Sequence, residues 1–367
     1  MLDGYRFIPY AILVLSFFFT LVPSNPKFHA FRHLALLLSV SSMALIVGFR
    51  DMYAGSDTIS YAKAFEELSR LVSFEWTGVK SAFISNNIYF VDFLFAFFSF
   101  SISRFTDDFN VYLSILLIIS LLILAKAYKR LLPEDYLFSL AVFFCSFTFV
   151  FIFGNAIRQS LAVSIIALAV VKLFLDRDSR TFFVLVFLAS LFHIYAFLFF
   201  PAIVLVKLKK ISVFLVPFLC IALSLIIPQV GTLVFDLLGL SIFSEKISAY
   251  FNGSEIFGFN FISGLLFLVV SFFLSNLSDD KRADIVFRIY ATTCSVQFLT
   301  LGSEIAFARL GGYRFIWEPV LAILLITVIF NSRIKSTLAK YAFMFMTFLY
   351  FHWVSSSESV MYTLGIL

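Results

Sequence analysis

Apolar runs of about 17–25 residues follow one another along the chain, each long enough to carry a helix across ~30 Å of hydrocarbon. They fall at 5–23, 31–49, 88–104, 109–126, 136–153, 158–175, 181–206, 211–228, 260–276, 286–303, 314–330 and 340–354. Segments such as Val111–Ala125 are largely apolar on every face. A membrane barrel strand would instead alternate in polarity over ~10 residues. The predicted fold is therefore all-α: a polytopic transmembrane helical bundle of about 11–13 spans, forming one transmembrane domain over 1–367. The first run, Phe7–Val22, is followed by Pro23-Ser24-Asn25-Pro26 and shows no small-x-small cleavage pattern, so it is expected to stay as the first span.

Two longer polar connections, 50–87 and 229–259, interrupt the runs. Connections of that size between packed helices usually carry function or cover a site. Basic clusters at Lys27/Arg32, Lys126/Lys129/Arg130, Lys172/Arg177/Arg180, Lys207/Lys209/Lys210, Lys281/Arg282 and Arg333/Lys335/Lys340 favour the cytoplasm. With that orientation 50–87, 229–259 and the 304–314 connection lie outside, as does Gly154–Arg158. Parity then poses two problems. The clusters at 172–180 and 207–210 share a side only if 181–206 enters and returns, with His193 near its midpoint; the alternative is one tilted span. In 50–125, one of the elements 66–87 and 88–104 must be re-entrant or lie in the interface. Irregular backbone at membrane depth is tolerated where protein buries it or water reaches it, so a re-entrant 181–206 would put His193 on a cavity.

Composition narrows the class. At 62% hydrophobic and 13% charged residues, with a mean hydropathy of +1.02, the chain has too little polar surface for a soluble globule. The net charge of +5 sits in short loops, as orientation bias does, and does not point to nucleic acid. Cys145, Cys220 and Cys294 lie in apolar stretches without CxxC or clustered His, so inert thiols are expected rather than a disulfide framework or a zinc site. The sequence has no Walker loop, GxSxG, HExxH or DxD motif. That argues against ATP-driven chemistry and against a soluble nucleotide-sugar site.

Chemistry is then sought in the few ionisable groups within or beside apolar runs, where a charge costs roughly 2.5–3.5 kcal/mol on insertion scales. Asp57 follows Arg50-Asp51-Met52-Tyr53-Ala54-Gly55-Ser56, and Tyr61 and Phe65 come four and eight residues later, so a helix starting near Ser56 stacks all three on one face. Asp57 is either a helix N-cap or a carboxylate that accepts a proton. Arg158, in Asn155-Ala156-Ile157-Arg158-Gln159, either snorkels to headgroups or grips phosphate with its fork. The same alternatives hold for Arg309 and Arg314. His193 is either a hydrogen-bonded core residue or a proton carrier. Glu304 and Glu318 are further carboxylates, the latter ahead of Pro319, where it marks a helix start. No metal and no cofactor is called for.

Taken in order, Arg50 with Gly55-Ser56-Asp57 and Tyr61, Asn155-x-x-Arg158-Gln159-x-x-Ala162, Ala189-Ser190-x-Phe192-His193, and Arg309 with Tyr313 resemble the EpsG-type family of exopolysaccharide membrane proteins. More broadly they resemble the Wzy-type polysaccharide polymerases. The resemblance runs from residue 50 to 313; where family members commonly show Gly-Thr-Asp, this chain has Ser56 and Thr58 around Asp57. It implies a fold like that of GT-C membrane glycosyltransferases. It also implies a bacterial inner-membrane enzyme that joins undecaprenyl-pyrophosphate-linked oligosaccharides, donor and acceptor, at the periplasmic face. Membrane lipids, and a chain-length regulator, would be further partners. Asp57, His193 and Glu304 compete as the base; Arg50, Arg158, Arg309 and Arg314 would hold pyrophosphate, and Tyr61, Asn155, Gln159 and Tyr313 the rest of the substrate. The rivals are an O-antigen ligase and a flippase or transporter of lipid-linked sugars. An enzyme should gather these groups on one face, whereas a carrier should spread charge through the full depth.

Overall fold

The computed structural model describes residues 8–23, 25–49, 57–88, 92–226, 258–330 and 332–355. Every regular element among them is helical. In chain order these are α1 (Ile8–Thr20), α2 (His29–Gly48), α3 (Thr58–Arg70), α4 (Trp76–Ile84), α5 (Phe93–Ile102), α6 (Phe109–Leu131), α7 (Tyr136–Phe144) and α8 (Ile157–Leu175). Next come α9 (Ser179–Ser190), α10 (Ala202–Leu205), α11 (Lys210–Ser224), α12 (Phe259–Leu277), α13 (Lys281–Phe298), α14 (Glu304–Phe315), α15 (Glu318–Ile329) and α16 (Arg333–Ser355). A π-helical stretch, Phe149–Asn155, precedes α8, and a 3-10 stretch, Ile194–Phe199, precedes α10. The chain divides into two compact units. One comprises Met1–Leu168, Val184–Phe197 and Ile329–Leu367, the other Ala169–Phe183 and Leu198–Val328.

Among the described residues, five helical stretches are long and apolar enough to cross a membrane: α2, α6, α8, α12 and Ala306–Ile329. A sixth arises if α7 and Phe149–Asn155 count as one span. The remaining expected spans are carried by shorter helices or by helices that begin in charged turns. The expected span at 88–104, for example, is the ten-residue α5, only ~15 Å long at 1.5 Å per residue. The long α6 shows why a full span forms. Asp108 caps it, its carboxylate accepting from the N–H groups of Asn110 at 2.7 Å and Val111 at 3.4 Å. Lys129 and Arg130 occupy its last turn, where cations suit the helix dipole, and Pro133 follows.

Two expectations are corrected. The run 136–153 is not one straight span: α7 and Phe149–Asn155 meet at 77°. The bend leaves Phe143, Phe149 and Phe153 packed on each other at 5.3–6.1 Å between ring centres. An all-apolar run gives no periodic signal at which to place such a break. Likewise 304–314 is not a connection but helix α14, capped by Ser303, whose Oγ accepts from the Ala306 N–H. Gly311-Gly312 does not end it because Gly311 is needed for contact: a Cβ there would stand 2.8 Å from Gln297 Nε2 and 2.9 Å from Phe315 Cε2. The run 181–206 is interrupted, with α9 ending at Ser190 and helical backbone resuming at Ile194, so that His193 stands at the break.

In the first unit, α2 and α6 approach closely at Gly48, where a Cβ would lie 2.1 Å from Ser114 Oγ, the small-residue packing common between membrane helices. The α6–α7 turn is gripped from two sides. Arg32 on α2 donates to the Pro133 and Glu134 carbonyls at 3.0 and 2.9 Å, and Lys340 on α16 pairs with Asp135 at 2.7 Å. In the second unit, Arg288 on α13 pairs with Asp284 and donates to the carbonyls of Leu205 and Leu208, fixing the turn before α11.

Candidate functional site

The first unit gathers an arginine-centred cluster at the head of α8. Arg158 Nε donates to the Tyr61 hydroxyl at 2.7 Å, and its Nη1 donates to Asp92 Oδ2 at 2.9 Å. The guanidinium also lies 5.8 Å from the Tyr61 ring centre. Side-chain exposure is 15% for Arg158 and 11% for Asp92, so this ion pair sits largely, though not wholly, out of solvent.

Three local features place these groups. The Tyr61 and Phe65 pair, four residues apart on α3, faces inward as the spacing predicts. Tyr61 packs edge-on against Phe95, and Phe65 stacks on Tyr112 at 4.2 Å. Asp57 occupies the N-cap position of α3 but makes no side-chain capping bond. Its backbone N–H donates instead to Asn155 Oδ1 at 3.3 Å, tying the start of α3 to the end of the π-helical stretch. The Asp57 carboxylate also adds a favourable field at Arg158. Gln159, beside Arg158 on α8, is buried.

Asp92, immediately before α5, was not singled out from the sequence, yet it is the carboxylate that pairs with Arg158. It also accepts a hydrogen bond from the Ile194 backbone N–H, one residue past the break at His193. The Leu94 N–H bonds the Leu191 carbonyl at 3.1 Å, so the α5 start and the broken segment are joined on both sides of His193. His193 itself is 7% exposed and packs edge-on against Tyr195. The overlooked signal was simple: Asp92 is the lone acidic residue in the run 88–104, where an ionisable group should have been suspected.

In the second unit Arg314 is fully buried, and all five of its N–H groups have acceptors. Nε donates to Gln297 Oε1 at 2.8 Å; Nη1 donates to the Tyr290 hydroxyl and to Glu318 Oε1, each at 2.7 Å; Nη2 donates to the Asn260 carbonyl and Ser263 Oγ at 3.0 and 3.3 Å. Glu318, expected to mark a helix start, does open α15 and also pairs with Arg314 across the α14–α15 junction. Tyr313 is buried, its ring 5.0 Å from Phe199, while Arg309, one helical turn before it, is half-buried. Arg50 and the Gly55-Ser56 step lie outside the described residues, as does the Glu304 side chain, although its backbone opens α14. Of the three cysteines, all free, Cys145 and Cys294 are buried and Cys220 is half-buried. Asp57, Tyr61, Asn155, Arg158 and the His193 break are thus brought into one unit, and Arg309, Tyr313 and Arg314 into the other.

Repeated apolar helices, a bent pair and ion pairs within the helical packing define a multi-pass helical membrane protein. Residues 33–364 match the model of the EpsG family, and the chain belongs to that family. Membership points to a membrane protein of the polysaccharide-polymerase type. No curated protein and no solved structure matches the chain.

Proposed function

We propose that the protein is an O-antigen or exopolysaccharide polymerase of the bacterial inner membrane. It would transfer a growing glycan from undecaprenyl pyrophosphate onto a lipid-linked repeat unit at the periplasmic face, without a metal. The observation that carries this reading is the Arg158 site: a guanidinium oriented by Tyr61 and Asp92, beside Asp57 and Asn155, where two interrupted helical segments meet. Half-helices with irregular backbone between them are where membrane proteins commonly bind polar substrates.

In the proposed step the acceptor hydroxyl oxygen attacks the anomeric carbon, and the bond from that carbon to the pyrophosphate oxygen breaks. The bonding electrons leave with the lipid pyrophosphate. Arg158 would stabilise that developing charge, as fixed cations aimed at a leaving group do. The hydroxyl proton would pass to Asp57 or His193. Asp92 would position Arg158 rather than meet substrate. Arg50 would be a further cation for pyrophosphate, with Gln159 lining the sugar path. Arg314, its donors spent within the protein, would act by holding α14 and α15 in place.

Purified protein supplied with lipid-linked repeat units and a chelator should yield a ladder of polymer on a gel. The Arg158→Lys protein should yield little, because a single ammonium cannot reproduce the fork that reaches Tyr61 and Asp92 together. Substrate left as single units by the wild type, or a full ladder from Arg158→Lys, would overturn the reading.

A further inference from the structure

Apart from the Arg158 cluster, the ends of α2 and α6 bring basic side chains together. Lys129 Nζ lies 3.2 Å from His33 Nε2, and the His33 ring lies 4.4 Å from that of His29. Among the described residues no carboxylate pairs with Lys129, His33 or His29. The nearby acidic side chain of Asp135 is already taken by Lys340. Arg32 adds a second permanent positive charge, held 4.8 Å over the Tyr136 ring, whose centre lies 5.9 Å from Lys129 Nζ.

A lysine ammonium beside imidazole N–H donors, with no carboxylate to take them up, is an arrangement suited to binding an anion. With the ammonium donating to Nε2, the His33 imidazole is fixed as the Nδ1–H tautomer. Its Nδ1–H and two ammonium protons then remain as donors for one tetrahedral anion. The surroundings specify what carries that anion. Phe31 and Leu34, on the same helix end, are 61% and 54% exposed. An aqueous ligand would leave those groups against water, whereas acyl chains would cover them. This end of the helices also bears basic residues that favour the cytoplasmic leaflet, whose anionic lipids attract such patches.

We propose that Lys129, His33 and His29 form a binding site for the phosphate headgroup of an anionic glycerophospholipid, such as phosphatidylglycerol, in the cytoplasmic leaflet. The site is independent of the polymerase reading. Nanodiscs holding equal amounts of phosphatidylglycerol and phosphatidylcholine, followed by native mass spectrometry of the released protein, test it. Wild type should retain phosphatidylglycerol preferentially, and the Lys129→Gln/His33→Gln variant should retain at least about fivefold less, the loss expected from roughly one cation at a membrane surface. The pair Arg333→Gln/Lys335→Gln, which removes two positive charges elsewhere, one more than the Lys129/His33 variant, should change nothing. Equal retention by wild type and the Lys129/His33 variant would overturn the proposal. So would complete displacement of the lipid by millimolar inorganic phosphate, which would make the ligand a free anion.

Discussion

Arg158 and Arg314 are the same residue in similar positions, near the start of one helix and the end of another, each paired with a carboxylate and a tyrosine hydroxyl. Their surroundings differ in one respect that decides their roles. Arg314 has no exposed surface and five bonded N–H groups, whereas the Arg158 side chain keeps 15% of its surface open. A guanidinium wholly enclosed by its own protein can only hold that protein together. One that keeps an open edge can also meet something that arrives.

The comparison breaks most readily at Arg314. Arg314→Met should cost about 3–5 kcal/mol of stability by stranding Glu318, Tyr290 and Gln297, with a large drop in folded yield by fluorescence-detected size exclusion. Adding Glu318→Met should restore much of it, because an apolar pair of similar size often replaces a buried ion pair at little cost. If Arg314→Met instead kept its yield and lost only polymer, Arg314 would belong with Arg158.

Arg158→Lys should show the opposite pattern, with near-normal yield and polymer formation down about 100-fold, the scale of losing one oriented charge stabiliser. Asp92→Asn should follow in weaker form, roughly tenfold, since an amide still accepts a hydrogen bond but no longer fixes the guanidinium by charge. A smaller effect is expected at Gly311→Ala, whose Cβ would press on Gln297 and Phe315 and cost about 1–3 kcal/mol in a thermal melt, with activity lost only in proportion to folded protein. Least of all, Arg70→Ala removes a pair with Glu66 in which the two side chains are 71% and 63% exposed, and neither yield nor ladder should change measurably.

What could be read from the sequence divides along the same line. The helical membrane class, the Asp57–Tyr61–Phe65 face and the significance of Arg158 rest on local spacing and on the cost of charge in apolar runs, and both are properties of the linear chain. The partnership of Arg158 with Asp92 spans 66 positions, and no period links the two. The 77° bend after α7 was hidden by uniform apolarity, and α14 by a Gly-Gly step whose meaning depends on what packs against it. Arg314 read as a group at the lip of a span because its five acceptors, Gln297, Tyr290, Glu318, Asn260 and Ser263, come from three other helices.

The doubly gripped turn between α6 and α7 bears on the order of synthesis. The Pro133 carbonyl is held by a residue made 101 positions earlier, but Asp135 waits for Lys340, made 205 positions later. At ribosomal rates of about 5–20 residues per second, that interval is roughly 10–40 s, so the Arg32 half of the grip is available long before the Lys340 half. The last described helix thus adds a late clasp to a turn that Arg32 can grip early, and a ribosome stalled before it would leave that turn held from one side.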